Sequence, residues 1–513
     1  MSNIPLYLEL PANLSAKKFF SRLGKNLNVQ IVEQCYSLKT FYDSFDWRLF
    51  NAKIIAEFNQ SKSSSLFSLI HLKKGHCLAS EKMDEVPRFA GQFPEGEVKN
   101  LITKPLEMRA LLPLCQLPHQ LYWISILNKD EKTVLRLKLE EFETLPHKLT
   151  LYPLKGYDKA ARKVATLLEQ AFKLKPVENS ATFYAALAQQ GRTPGDYQSG
   201  LNIKLNPKQS VEEACQLIFK HLLKNLKANE AGTIEDIDSE FLHDFRVAVR
   251  RTRAAFSVFK KVLPESIVQQ YAPFFAWLGQ VTGPTRDLDV YLLNYQHYKQ
   301  VLPPTLHDEL TPFYHFLKRK QKQAQQKMAE QLQSDRYKQQ IVAWEEFLNS
   351  AKLFKTKDSG DIKTLADQRI WKMYKRLLKE GSLIDDESPA ESLHDLRKTS
   401  KKLRYLMEFF QTLYPEDKIK PCIRALKDFQ SVLGDFQDYE VQEVSIKQFS
   451  DEMLAEGADS NTILAMGVLI QYLDTLKVAA RRDFAHQFER FKRAQNHKHF
   501  QKLFAGKGSG DKA

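Results

Sequence analysis

Two patterns of apolar and polar positions divide the chain. Up to about residue 175, short runs alternate with a period of two: LYLEL, KIIAEF, LFSLIHL, VLRLKLEEF and KLTLYPL, set apart by Pro, Gly and Asn. Successive strand side chains point to opposite faces, so these runs predict strands of an antiparallel sheet or barrel. Stretches near 15–28 and 157–174 carry helical spacing instead. Segment 176–206 combines turn dipeptides with weak periodicity and reads as a linker with room for one short helix. From about 207 the apolar period becomes helical, glycines grow rare outside turns, and an all-α domain is expected to run to about 505. The fold class expected is therefore an α+β, barrel-like domain over 1–175 followed by an all-α domain over 207–505, with a disordered tail over 506–513.

The helical part repeats. LHDFRVAVRRTRAAFSVFKKVLP at 242–264 lies over LHDLRKTSKKLRYLMEFFQTLYP at 393–415, a shift of 151, and the same shift lays VTGPTRDLDV at 281–290 on VLGDFQDYEV at 432–441. Leu242, His243, Asp244, Arg246, Arg253, Phe259, Pro264, Gly283, Asp287 and Val290 recur unchanged. ACQLIFKHLLK at 214–224 resembles ADQRIWKMYKR at 366–376 with a shift of 152. A period this long means two copies of a subdomain, about 207–345 and 360–505, and not a solenoid.

Each residue of a helix turns about 100°. His243, Arg246, Arg250 and Arg253 then share one stripe, with Phe245, Thr252, Phe256 and Phe259 opposite. In the second copy His394, Arg397, Lys401 and Arg404 form the stripe, with Leu396, Leu403, Met407 and Phe410 opposite. The helices upstream carry Lys220, Lys224 and Lys227, and Arg369, Lys372, Arg376 and Lys379. A charged stripe is ordinarily a solvated helix face. This one is nearly pure in sign, whereas solvated helices mix Glu with Lys at i, i+4. Both copies also keep Arg at two stripe positions, and the guanidinium fork suits phosphate oxygens.

Charge agrees with an anionic partner without proving one: the net charge is +14, with 27 Lys+Arg against 20 Asp+Glu over residues 1–200 and 49 against 42 over the rest. Any polyanion site must come from how the charges are arranged. Five scattered cysteines with no CxxC pair exclude a disulfide framework or a zinc site of that type and suggest small core residues. No signal peptide and no run of about 18 apolar residues is visible, so a cytoplasmic protein without a membrane span is expected. His243 and His394 have no second ligand at metal spacing on their face, so no metal is expected there and the histidines read as donors to phosphate. Asp287 and Asp438 read as partners of arginines within each copy, with Gly283 and Gly434 as helix breaks and Arg286 within reach of a ligand.

These motifs resemble the CHAD family, the conserved-histidine α-helical domain, over about 207–505. The resemblance implies two four-helix bundles related by a pseudo-twofold axis, with inorganic polyphosphate bound in a basic groove or pore between them. Carried over by position, the ligand residues would be His243, Arg246, Arg250, Arg253, His394, Arg397, Lys401 and Arg404. Lys220, Lys224, Arg369, Lys372 and Arg376 would join from the preceding helices, and Lys320, Arg481 and Arg482 from later ones. The family also implies association with polyphosphate granules.

The first part resembles a CYTH domain, the triphosphate-tunnel fold. FYDSFDWRLFNAKI looks like the family's YxDTxDxxLxxxGxxLR segment, LKKG like its LKG turn, and LTLYPLKGYDKAARKVATLLEQ like its last strand and helix. Its ExExK signature is missing: Asn3, Pro5 and Tyr7 stand where two carboxylates and a lysine belong. Thr150 and Tyr152 replace late metal-binding carboxylates, and AEFNQ replaces the arginines after the DT segment. Phosphoryl chemistry in that fold depends on a metal, so the expectation is a barrel without catalysis, no cofactor, and polyphosphate binding without turnover. Two alternatives stand beside it: a divergent tripolyphosphatase, and nucleic-acid binding by the same basic surface. The latter is the weaker, because the stripes are nearly bare of aromatic, Asn and Gln side chains.

Overall fold

Alternating side chains do form the strands of the first unit, one set on a strand packing against helices while the alternate set faces inward. The strands are β1 (Leu6–Leu10), β2 (Asn28–Asp43), β3 (Ile54–Ser61), β4 (Ser65–His71), β5 (Cys77–Lys82), β6 (Leu112–Leu127), β7 (Thr133–Phe142), β8 (His147–Pro153) and β9 (Lys175–Pro176). They make one antiparallel sheet in the order β5-β4-β3-β2-β6-β7-β8-β1-β9. Helices α1 (Ala16–Leu23), α2 (Arg48–Asn51), α3 (Glu97–Leu106), α4 (Asp158–Ala171) and α5 (Ala181–Gln189) complete the unit. Leu8, Leu135, Leu137, Leu149 and Leu151 pack with Phe19 of α1 and Val164 and Leu168 of α4. Phe58, Phe67 and Leu69 pack with Val98 and Ile102 of α3. The sheet curls so that residues of β1 to β8 line one interior cavity, which is the barrel-like architecture expected.

This computed structural model describes residues 5–505 except 12, 63, 198, 202, 351–359 and 386; the tail over 506–513 lies outside the described residues, as does Asn3. The chain divides between Ser199 and Gly200. The stretch 176–206, expected as a linker with room for one short helix, carries that helix as α5 and is packed, not free. Phe183, Ala186 and Leu187 of α5 are buried against β2 and β6, and Trp47 Nε1 donates to Asp196 at 2.8 Å. Leu201, Ile203 and Leu205 are buried in the helical unit. Apolar side chains spaced among turn residues gave this stretch too little periodicity to read.

The second unit holds α6 (Val211–Ile234), α7 (Ser239–Phe259), α8 (Glu265–Val281), α9 (Gly283–Val301), α10 (Thr311–Gln333), α11 (Asp335–Asn349), α12 (Ile362–Gly381), α13 (Ala390–Phe410), α14 (Glu416–Ala455), α15 (Ser460–Phe491) and α16 (Ala494–Phe504). Both copies share one core: Phe219, Phe256 and Trp344 of the first are continuous with Tyr374, Phe429 and Phe488 of the second. A second core joins α9 and α10 to the later half of α14 and to α15 through Tyr291, Phe313, Phe316, Ile446, Met466 and Leu469. By length and composition α15 could cross a membrane, but Ala465, Met466, Leu469 and Leu473 belong to this core.

The expected helix break at Gly434 is absent, because Gly434 lies inside the continuous α14. In the first copy the helix does break, between Val281 and Gly283. Pro284, which lacks an N–H for the helical ladder, stands there where the second copy has Asp435.

Candidate functional site

Helix α7 starts at Asp238, whose side chain accepts the N–H groups of Glu240 at 3.0 Å and Phe241 at 3.2 Å. Burial of Phe245, Thr252, Phe256 and Phe259 fixes its rotation and turns the arginine stripe toward the α8–α9 turn. Arg246 Nη1 donates to the Gly279 carbonyl at 3.0 Å and to Thr282 Oγ1 at 2.9 Å. A Cβ on Gly279 would stand 3.1 Å from Arg253 Nη1, and one on Gly283 3.7 Å from Arg246 Nη1. A Cβ on Gly434 would meet Arg397 Nη2 at 3.9 Å. The recurring glycine thus leaves open backbone beneath the equivalent guanidinium of each copy.

Both motif histidines are held by the residue 43 positions later. Arg286 Nη2 donates to His243 Nδ1 at 3.1 Å and its Nη1 to the Ser239 carbonyl at 3.2 Å. In the second copy His394 Nδ1 bonds Gln437 Oε1. Arg286 is thus spent on positioning the ring. The acidic residues behave as arginine partners: Asp438 accepts from Arg397 Nη2 at 3.0 Å. Asp287 is raised by burial, with the charges of Arg246 and Arg286 opposing that rise.

Residues of equivalent position meet across the copies. Ser210 pairs with Asp361 in an antiparallel bridge, and the Phe259 and Phe410 rings are 6.2 Å apart. The Arg250 charge reaches Lys401. Each pair is related by the shift of 151, and self-matching contacts of this kind arise at a two-fold axis. The two stripes therefore come together at Arg250 and Lys401. Burial, then Arg397, Arg250 and Arg404, hold the Lys401 ammonium down to about 8, with Asp438 opposing. Burial likewise holds Arg246 down to about 10, opposed by Asp287 and reinforced by Arg250, Arg286 and Arg253.

The remaining expected residues are placed unequally. Arg404 Nε lies 3.5 Å from Glu408, which also takes Arg251 at 3.3 Å. Lys220 is half-buried and Lys224 exposed on α6, the latter beside His221 and Arg251. Arg369 and Lys372 lie along α12, where Arg376 pairs with Glu380 at 2.5 Å. Lys320 is paired with Glu452 and stacks 5.3 Å over Phe316. Arg481 donates to the carbonyls of Ser388 and Asp385 in the loop before α13, and Arg482 is exposed. Lys320 and Arg481 thus spend their charged groups on helix packing and a loop, an outcome their weaker repeat alignment gave no means to foresee.

In the first unit the cavity encloses about 540 Å³. Pro5, Tyr7, Thr150 and Tyr152, at the positions of the missing signature, do line it. Carboxylates line it as well, from strands where none was expected: Glu33, Glu57 (within AEFNQ) and Glu140. Lys39, 1 % exposed, lies 2.7 Å from Glu140 and 3.4 Å from Glu57, and Lys138 lies 3.3 Å from Glu140. The alternation in LRLKLEEF puts Lys138 and Glu140 on one face, a signal that could have revealed them. Among the described residues no group of three or more His, Cys, Asp or Glu could hold a metal. Asp43, in the DT-like segment, accepts the N–H groups of Ser44, Leu49 and Phe50 and serves as a cap. Cys115, Cys215 and Cys422 are buried as expected of core residues, while Cys35 is half-buried and Cys77 exposed, and all five are free thiols.

The CHAD domain family model matches residues 217–446. No curated protein matches the sequence. Among solved structures, the CHAD domain from the plant Ricinus communis is similar at 26% identity, covering 56% of this chain and 96% of that one, with a TM-score of 0.47. PptA from Streptomyces chartreusis is similar at 15% identity over 55% of this chain and 100% of that one, TM-score 0.43. A putative adenylyl cyclase from Hippeastrum, HpAC1, described as having a dominant triphosphatase activity, is similar at 12% identity over 38% of this chain and 99% of that one, TM-score 0.28.

Proposed function

Residues 217–446 of this chain form a CHAD domain, and from that premise we propose that the protein binds inorganic polyphosphate, without turning it over, in a basic groove along α7 and α13. The observation that carries this reading is the meeting of Arg250 and Lys401. Like charges gathered and partly desolvated are costly unless an anion offsets them. A run of phosphate oxygens supplies one acceptor after another along a stripe of this kind. Arg253, exposed and lying over Gly279, and Arg250 are the groups that would reach them first. The test is binding of long-chain polyphosphate to the full chain and to Arg250→Glu/Arg253→Glu. The variant should bind at least tenfold more weakly while its helical circular dichroism stays unchanged. Unaltered affinity would reduce the stripe to a solvated face.

Hydrolysis in the first unit is the second reading, favoured by Glu57 and Glu140 on the cavity wall. Their engagement by Lys39 and Lys138 weighs against it, since a divalent ion would have to displace the buried Lys39 and the half-buried Lys138. Tripolyphosphate incubated with the protein and Mg²⁺ or Mn²⁺ should release no phosphate above background. Steady multiple turnover that Glu140→Gln abolishes would establish the enzyme instead.

A further inference from the structure

The interior of the first unit carries a charge pattern that polyphosphate binding by the helices leaves unused. Three lysines and three glutamates line the same cavity, with Glu33 at its exposed edge and Glu57 and Glu140 buried within it. Lys39 and Lys138 are already engaged with Glu57 and Glu140. Lys148 is different. It is 8 % exposed, and its Nζ donates to the Asn179 carbonyl at 3.1 Å and to Asn179 Oδ1, both neutral acceptors. The ring of Tyr7 lies 5.1 Å from it. An ammonium has three donors, so one remains after Asn179 has taken two. Glu140 and Glu57 act on this charge through space but give it no direct ion pair, and a buried ammonium with neutral hydrogen-bond partners and a donor to spare is costly unless an anion joins it.

The opposite requirement, an apolar surface, is met in the same space. The rings of Trp123 and Tyr152 lie 5.5 Å apart, inclined at 34°, and form an aromatic wall. Burial keeps the Tyr152 phenol protonated, so it offers a neutral O–H. The volume falls within the range of about 300–1,000 Å³ that holds small molecules. We propose that this cavity is a second ligand site, taking a small organic monoanion, a carboxylate on a flat apolar body, with Lys148 as its counter-charge. A polyanion does not fit this pattern, because Glu57 and Glu140 would face its further charges.

The groups around Lys148 set how such binding depends on pH. Burial and Lys39 hold its ammonium down to about 8, Lys138 adding to the effect and Glu140 and Glu57 opposing it. At neutral pH the amine is charged and ready for a carboxylate; above about 8 the unliganded site loses that charge and affinity falls.

The experiment uses the full chain, titrated with 2-naphthoate and with 2-naphthol as its uncharged counterpart. One naphthoate per chain should bind at neutral pH, at least tenfold more tightly than naphthol, and more weakly at pH 9.5. Lys148→Met should remove naphthoate binding, raise the melting temperature of the unliganded protein, and leave polyphosphate binding unchanged. Absence of naphthoate binding, equal binding of naphthol, or displacement of naphthoate by stoichiometric tripolyphosphate would each overturn the proposal, as would a folded Lys148→Met that still binds. If that variant does not fold, acylation of Lys148 in the natural protein decides by peptide mass spectrometry. Protection by naphthoate and not by naphthol supports the site, and equal labelling sinks it.

Discussion

Arg250 and Lys401 occupy the same place in the two copies, and the lysine brings a titration of its own. Lys401 is held down to about 8 from an ordinary 10.5. Between those values the unfolded chain carries more protons than the folded one, so this group makes stability rise with pH through that window. A polyanion favours the charged amine, so binding at pH 8.5 should take up protons. Calorimetry in two buffers of different ionisation enthalpy measures that uptake, and Lys401→Arg should reduce it sharply. Charge reversal at Lys401 and Arg404 should weaken polyphosphate binding at least tenfold, each lost contact being worth about 1.5–3 kcal/mol before screening. Arg404→Ala alone should cost less than Arg253→Ala, because Glu408 already engages Arg404. The stripe was legible in the sequence because spacing of three, four and three residues survives in both copies. Asp438 as a partner of the stripe was legible too, whereas the engagement of Lys320 by Glu452 was not, since the two meet only through the packing of α10 on α14.

At the level of the elements, the repeat made the helices readable while hiding how they differ. Equivalent motifs suggested equivalent breaks, but Pro284 breaks the first copy and α14 runs through the second. Asp435→Pro should therefore lower stability by about 3 kcal/mol, removing one ladder bond and forcing a clash; a thermal melt that stays in place would contradict that account. Phe256, buried between Phe219, Phe275 and Trp344, anchors α7 from the opposite side. Its truncation to Ala should cost about 3–5 kcal/mol, measured by denaturant unfolding. In the first unit the short alternating runs were found, but β2 and β6 were not. The first half of β2 is largely exposed, so it lacks a buried face to alternate against. Pro113 and Pro118 interrupt β6, and proline ordinarily argues against a central strand. Of the cavity charges, Lys138 and Glu140 share a face within one run, whereas Lys39, Glu57 and Lys148 come from three other strands that only the sheet order brings to them.

Over the whole molecule, two stripes in one folded domain act as linked sites. Under the proposed function, affinity per molecule should climb with polyphosphate length until a chain engages both copies, and then level off. Titrations with size-fractionated chains test this, and equal affinity for tripolyphosphate and long chains would contradict it. Binding should fall steeply with salt, and the slope of log affinity against log salt should shrink in the stripe variants, which release fewer counterions. The pairing of Ser210 with Asp361, Phe259 with Phe410, and Arg250 with Lys401 has one more consequence. Where a two-fold axis crosses a groove, it turns one half of that groove end for end relative to the other. A nucleic-acid strand has a direction, and would meet one copy forward and the other backward. Linear polyphosphate reads the same from either terminus, so under the proposed function both halves could grip one chain through equivalent positions. It can enter by either end.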